Sequence, residues 1–440
     1  MNYLDNILFA MVLIVGVAFF ARNIKKIIRN IKLGTDVNRY DRKPQRWGNM
    51  ARIALGQSKM VRRPVSAGLH IIVYLGFIII NVEVLEIIID GLFGTHRVFA
   101  FMGGFYSFLI GTFEILAFLV LVAVLTFWAR RNIIRVKRLI HGDLTGWPKN
   151  DANIILYFEV VLMSLFLLMN AADYHLQGVG AQHYAIAGAF PISQYLSSIF
   201  GSMPTETVII FERAFWWMHI IGILIFLNYL YFSKHLHILL AFPNTYFADL
   251  DPKGKFVNLA SVTNEVKLMM DPNADPYAAP DANAAPAKFG ASDVQDLNWV
   301  QLLNAYTCTE CGRCTSVCPA NITGKKLSPR KIMMDTRDRM EEVGRNIDAN
   351  KGVFVPDNKM LLHDYITEEE LWACTTCNHC VEECPVSISP LSIIMDMRRY
   401  LVMEQSAAPM PLNAMMTNVE NNGAPWQYSQ QDRLNWANEN

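Results

Sequence analysis

At 440 residues the chain is long enough for two or three domains, and its 52 % apolar content is too high for an ordinary soluble protein, which calls for a membrane part. A formal net charge of zero gives no argument for nucleic acid or for an acidic substrate. All eight cysteines lie between 308 and 384, outside the apolar half, so their spacing argues for metal in a reducing compartment rather than for disulfides.

In chain order, five stretches are long and apolar enough for a hydrocarbon core that needs about 20 residues each: roughly 4–21, 68–89, 105–128, 153–170 and 211–232. The first carries Asp5, lacks a basic leader and is followed by a basic run, so it reads as a retained span. Segment 22–63 holds thirteen Lys and Arg residues and 130–149 is also basic, whereas the connections 90–104 and 171–210 hold only Arg97. By the positive-inside rule the basic segments face the cytoplasm, which puts the N-terminus outside and the cysteines inside the cytoplasmic membrane. The outer connection 171–210 is long for a bundle and reads as a cover for the bundle or a docking loop.

The resulting division is a transmembrane bundle over 1–247, a linker over 248–296, a cysteine domain over 297–404 and a partner-binding tail over 405–440. Within the linker, 271–290 is an Ala/Pro/Asp tract with no apolar period. Beyond it the signals are helical. Ser328-Pro329 and Ser389-Pro390 each read as an N-cap with proline at the first helical position, and Thr367 with Glu370 reads as a capping box. The fold class is therefore all-α, a five-helix transmembrane bundle followed by a helical cytoplasmic domain.

The cysteines read Cys308-x2-Cys311-x2-Cys314-x3-Cys318-Pro319 and Cys374-x2-Cys377-x2-Cys380-x3-Cys384-Pro385. Three thiolates spaced this way wrap one face of a cubane, and the fourth, before proline, turns toward a neighbouring cluster. Cys308, Cys311, Cys314 and Cys384 are thus expected on one [4Fe–4S] cluster, and Cys374, Cys377, Cys380 and Cys318 on the other. A structural zinc site uses two separated Cys pairs and has no need of the Cys-Pro ending. The segments TECGRCTSVCPA, GKKLSPRKIMMDTR and LWACTTCNHCVEECPVSISPLSIIMDMRRYLV resemble the small iron–sulfur subunit of heterodisulfide reductases, a two-cluster helical ferredoxin domain.

In the apolar half, RRPVSAGLH and WWMHIIGILIFLNYLYFSKHLHILLAFPN resemble the cytochrome b subunit of respiratory nitrate reductases. That resemblance implies five helices, an outside N-terminus and b-type haem held by histidines of the second and fifth helices. His70 and His237 fall at the same cytoplasmic depth and are the expected pair. His219 and His237 are eighteen residues apart, five helical turns, and so share a face, which puts His235 on the opposite one. A second haem at His219 lacks a partner on the second span, where Ile80 stands; His175 and His183 are the alternatives, or His219 is simply hydrogen-bonded. Glu83, Glu86, Glu114 and Glu159 within or near the spans point to a proton path or quinone pocket, against an interfacial reading for Glu86 and Asp90. Phe215, Trp216 and Trp217 read as an interfacial belt.

Together these features describe a membrane-anchored electron-transfer subunit between the quinone pool and a cytoplasmic redox partner, with one b haem and two clusters as carriers. The resemblance implies that the partner bears the cysteine-rich domains of heterodisulfide reductases. The membrane subunit of quinone-interacting oxidoreductases of sulfate reducers joins the same two modules in the opposite order. The rival reading is a haem-free tether or redox sensor that carries the clusters within a larger assembly.

Overall fold

A computed structural model describes residues 3–184, 186–273, 288–427 and 429–438. Most of the linker tract, 274–287, lies outside the described residues. The described chain is all-helical, with two isolated β-bridges, Thr35 with Asn298 and Leu362 with Ile366, and no strand among the described residues. Five helices are long and apolar enough to cross a membrane: α1 (Tyr3–Ile31), α3 (Pro64–Phe93), α4 (Gly104–Asn132), α5 (Trp147–Gly178) and α6 (Thr205–Tyr229), with the short α2 (Lys43–Met50) between the first two. Each outlasts the apolar run that announced it. α5 continues through Asp173 and Gln177, which are buried rather than in a loop.

Consecutive helices from α3 to α6 pack side by side, and α1 closes the bundle against α3 and α6. At the first of these contacts a Cβ on Gly91 would stand 2.6 Å from the Phe9 ring, so only glycine admits α1 there. Trp216 belongs to this core, 5.3 Å from Phe9 between ring centroids, rather than to an interfacial belt. On the outer surface, apolar side chains such as Ile14, Phe108, Val161 and Ile210 remain exposed, as a lipid-facing surface requires.

After α6 come α7 (His237–Tyr246), α8 (Ala260–Met270), α9 (Trp299–Thr307), α10 (Pro329–Ala349), α11 (Pro390–Met403) and α12 (Met410–Asn422). The expected caps are present. Ser328 Oγ accepts from Lys331 N, Ser389 Oγ accepts from Ser392 N, and Thr367 with Glu370 forms the capping box.

Ala291 and Val294, at the end of the segment 248–296, pack in a core shared by the two halves. One apolar core runs from Ile27 and Phe226 of the bundle through Ala291, Val294 and Leu297 to Leu302, Met333 and Leu371. Thr35 N donates to Leu297 O at 2.8 Å and Trp299 N to Thr35 O at 3.1 Å, and a Cβ on Gly34 would meet Leu297 O at 2.7 Å. The basic segment 22–63 contributes to this junction. Arg46 of α2 is fully buried and donates to the carbonyls of Tyr246 and Ala248.

Candidate redox centres

The two cysteine motifs share one backbone device. Residues two and four places after the first cysteine adopt left-handed φ in both, Glu310 (54°) and Gly312 (72°) in one, Thr376 (57°) and Asn378 (59°) in the other. Left-handed residues spaced in this way fold the x2 segments tightly enough to draw consecutive thiols toward a common centre. Cys308, Cys311, Cys314, Cys380 and Cys384 line one cavity. The Cys380 thiol is pushed up to about 12 by burial and then by its neighbours Cys374, Cys318 and Cys377. Cys384 thus shares a cavity with the first three cysteines of the other motif, and Cys318 is among the neighbours of Cys374 and Cys380.

All eight cysteines are free thiols. Burial pushes Cys308 up to about 12 and Cys384 up to about 11, so these thiols ionise near neutrality only when a metal centre takes the charge. Backbone donors for such thiolates are already in place: Thr376 N lies 3.4 Å from Cys374 Sγ and Ile388 N 3.3 Å from Cys384 Sγ. Among the described residues no three His, Cys, Asp or Glu side chains converge as on a single metal ion.

A second cavity, of about 480 Å³, lies where the start of α3, the end of α4 and the start of α5 meet α7 and the first cysteine loop. His70, His235 and His237 all line it, as do Glu159, Arg131 and Cys311. His70 Nδ1 and Arg131 Nε are buried without a hydrogen-bond partner, while His237 Nδ1 lies 3.0 Å from Lys234 O and donates to it. That bond fixes the tautomer and leaves Nε2 of His237 as a ligand nitrogen. Volume, apolar lining, free imidazoles and a spare guanidinium fit an iron porphyrin with acidic side arms.

The helical-face argument that separated His237 from His235 does not hold. α6 ends at Tyr229, Ser233 is extended (φ −118°, ψ 146°), and a fresh helix begins at His237, so no single helix carries His219 and His237. His235 packs edge-on against His237 with centroids 5.4 Å apart and faces the same cavity. The signal for the break was the Ser-Lys-His run itself, in which Ser233 Oγ caps His235 N. His219 stays apart, buried against Phe166, with both ring nitrogens unpartnered and Ile80 buried on α3.

The span carboxylates divide by their partners. Glu86 accepts from Phe99 N and Tyr106 Oη, both at 2.9 Å, and Asp90 accepts from Arg97 N at 2.7 Å. Glu114 accepts from Ile192 N and Ser193 N, which fastens the outer connection over the bundle. These three are structural. Glu83 is buried with Oε2 unpartnered and lines a polar outer cavity of about 240 Å³ beside His96 and Arg97.

Between the histidine cavity and the cysteines stands a buried ion-pair chain that sequence spacing did not reveal. Glu310, between Cys308 and Cys311, pairs with Lys234 and, at 2.8 Å, with Arg337 of α10; Lys234 also reaches Asp151 at 3.7 Å. Burial alone raises the Glu310 carboxyl, but the Arg337 and Lys234 charges outweigh it and hold it below the usual carboxylate range. Arg138 adds a bond to the Cys311 carbonyl.

Residues 307–388 match the 4Fe-4S dicluster domain family. The chain is 30 % identical over 469 residues to the probable iron-sulfur-binding oxidoreductase FadF of Bacillus subtilis, covering 98 % of this chain and 61 % of that protein. It is 27 % identical over 428 residues to the EtfAB:quinone oxidoreductase of Syntrophomonas wolfei, covering 92 % of this chain and 55 % of that one. Its cysteine part is 33 % identical over 108 residues to one component of the ferredoxin/F(420)H(2)-dependent CoB-CoM heterodisulfide reductase of Methanosarcina acetivorans, covering 24 % of this chain and 52 % of the relative. No solved structure matches. The chain thus spans 61 % and 55 % of the two relatives it matches along most of its own length. It is a multi-pass membrane protein with a 4Fe-4S dicluster domain, similar along nearly its whole length to iron–sulfur oxidoreductases.

Proposed function

We propose that this chain is the membrane-anchored electron-transfer subunit that links the quinone pool to a cytoplasmic cysteine-rich-domain redox subunit, with its N-terminus outside and its iron–sulfur domain in the cytoplasm. The observation that carries the reading is the single cavity lined both by His70, His235 and His237 and by Cys311. Cys308, Cys311, Cys314 and Cys384 hold one [4Fe–4S] cluster, Cys374, Cys377, Cys380 and Cys318 the other, and His70 with His237 holds a b-type haem. When bound, these groups supply one-electron carriers of adjustable potential.

The chain's own residues do the positioning. Lys234 O fixes the His237 ring, Arg131 offers its unpartnered Nε to an acidic side arm, and the Glu310 ion pairs hold the cysteine loop against the cavity wall. Glu159 lines the same cavity, as do Phe77 and Ile78, which are exposed on the apolar surface, so a quinone headgroup that enters from lipid finds a carboxyl there. The EtfAB:quinone oxidoreductase likeness supports quinone as the membrane-side substrate, and the heterodisulfide reductase likeness supports the cytoplasmic partner. The tail offers that partner Trp426 and Trp436, both exposed.

A pyridine-haemochrome spectrum of the purified protein tests the reading. It is expected to show b-type haem that His70→Ala or His237→Ala removes while iron–sulfur absorbance persists, with a smaller loss in His235→Ala. A wild-type protein without the b-type signal would instead favour the haem-free tether, and an unchanged spectrum in both His70 and His237 variants would sink the ligand assignment.

A further inference from the structure

A third cavity, of about 920 Å³, opens on the inner flank where α3 begins and α4 ends, between the bundle and the first cysteine loop. Its lining is cationic: Arg62 and Arg63 precede α3, Arg130 ends α4, Lys137 and Arg138 follow it, and Arg330 starts α10. Several of these are already neutralised. Arg62 pairs with Glu382, Arg63 with Glu383 at 2.8 Å, and Arg330 with Asp143. Arg130 and Lys137 have no carboxylate partner among the described residues, and Arg138 donates only to neutral acceptors, Cys311 O and Ser66 Oγ. The cavity therefore carries a surplus of positive charge that its own acids do not meet.

Cations at the inner ends of spans are ordinary, and alone they decide nothing. Here they come from three separate stretches, the approach to α3, the end of α4 with its connection, and the start of α10, and converge on one concavity, which a topological signal does not require. Apolar side chains complete the wall. Val65 and Ile322 line the same cavity and are exposed, and Ile133 and Ile134, in the connection between Arg130 and Lys137, are 67 % and 65 % exposed. A free phosphate has no use for that rim, and an acidic protein surface does not match it. A phosphate joined to acyl chains matches both halves.

We propose that this cavity binds one anionic phospholipid, its phosphate held by Arg130, Lys137 and Arg138 and its chains lying along Val65, Ile133 and Ile134. The site rests only on the bundle lying in a bilayer, so it stands or falls separately from the haem and quinone assignments. Bound there, the lipid joins α3, α4 and the Cys311 loop at the edge of the iron–sulfur domain.

The full-length, cluster-loaded protein in neutral detergent is titrated with short-chain phosphatidylglycerol, with phosphatidylcholine of the same chains, and with inorganic phosphate, and retained lipid is counted by native mass spectrometry. One phosphatidylglycerol is expected to be retained at least tenfold better than phosphatidylcholine and not to be displaced by inorganic phosphate. Arg130→Gln/Lys137→Gln is expected to abolish that preference, and Arg130→Lys/Lys137→Arg to keep it, with iron content as the check on folding. Lys255→Gln/Arg345→Gln, which removes equal charge from exposed positions elsewhere, is expected to leave it intact. Equal retention of the two lipids overturns the proposal and leaves the cavity to an acidic protein. Displacement by inorganic phosphate, or equal losses in both charge-removing variants, overturns it as well.

Discussion

Replacing Asp143 by Asn isolates the electrostatic part of the junction between bundle and iron–sulfur domain. Asp143 sits in the short turn Gly142–Leu144 after α4 and receives Ser328 Oγ at 2.7 Å and Arg330 Nε at 3.2 Å, with Arg330 Nη2 on its other oxygen. Arg330 is 1 % exposed, and its remaining bond is to the Arg138 carbonyl at 3.0 Å. Removing one partner of a buried pair costs about 3–5 kcal/mol, because the other charge stays buried and uncompensated. Asn keeps the shape and one acceptor oxygen, so the lower end, about 3 kcal/mol or roughly a hundredfold in the folding equilibrium, is expected at pH 7. Burial alone raises the Asp143 carboxyl, but the Arg330 and Ser328 hydrogen bonds outweigh it and hold it below its ordinary value. A depressed carboxylate stabilises fully above its unfolded pKa of about 3.9 and loses that contribution as pH falls through its lower folded value. The gap between wild type and Asp143→Asn is therefore widest near pH 7 and closes below about pH 4. Denaturant midpoints followed by tryptophan fluorescence in detergent measure it. Equal midpoints at pH 7, or a gap that grows on acidification, would refute the reasoning.

The crossed assignment predicts that Cys308→Ala/Cys384→Ala destroys one cluster and leaves the other with about four irons, whereas Cys308→Ala/Cys318→Ala injures both. Iron content and electron paramagnetic resonance decide it, and the opposite pattern refutes the ligand sets. For topology, a reporter fused within 178–200 is expected outside and one fused after Asn440 inside; both on one side would break the orientation drawn from the basic segments.

Hydropathy located all five long helices because an apolar run of span length has few other uses. Their ends escaped it. Asp173 and Gln177 read as loop residues, yet Asp173 meets Arg97 and Gln177 reaches Ala187 O at 3.3 Å, so α5 runs on inside a polar network. The break at Ser233 was hidden for the opposite reason, since apolar residues flank it on both sides and periodicity was carried across a turn. Cysteine spacing makes the two repeats plain. Which thiol faces which group, however, depends on how the repeats pack, and only the Cys-Pro endings hint at it. Glu86 and Glu114 looked alike in sequence to Glu83, because the backbone donors that occupy the first two belong to residues distant along the chain.

The junction explains why so many basic residues of segment 22–63 do more than mark a cytoplasmic face. Arg29 and Lys26 pair with Asp348 of α10, Asn30 donates to Tyr306 Oη at 2.8 Å, and Arg313 reaches the Lys59 and Met60 carbonyls. Electron transfer between a membrane cavity and a thiol group needs the two held together. Here the task falls to Gly34, where the chain leaves α1 directly against the backbone of Leu297 and Trp299, and to the core that continues from Phe226 into Leu302. Any larger residue at 34 pushes the start of α9 outward, and Cys308 is the C-cap residue that follows α9. The position of the first cysteine is thus set from inside the membrane half.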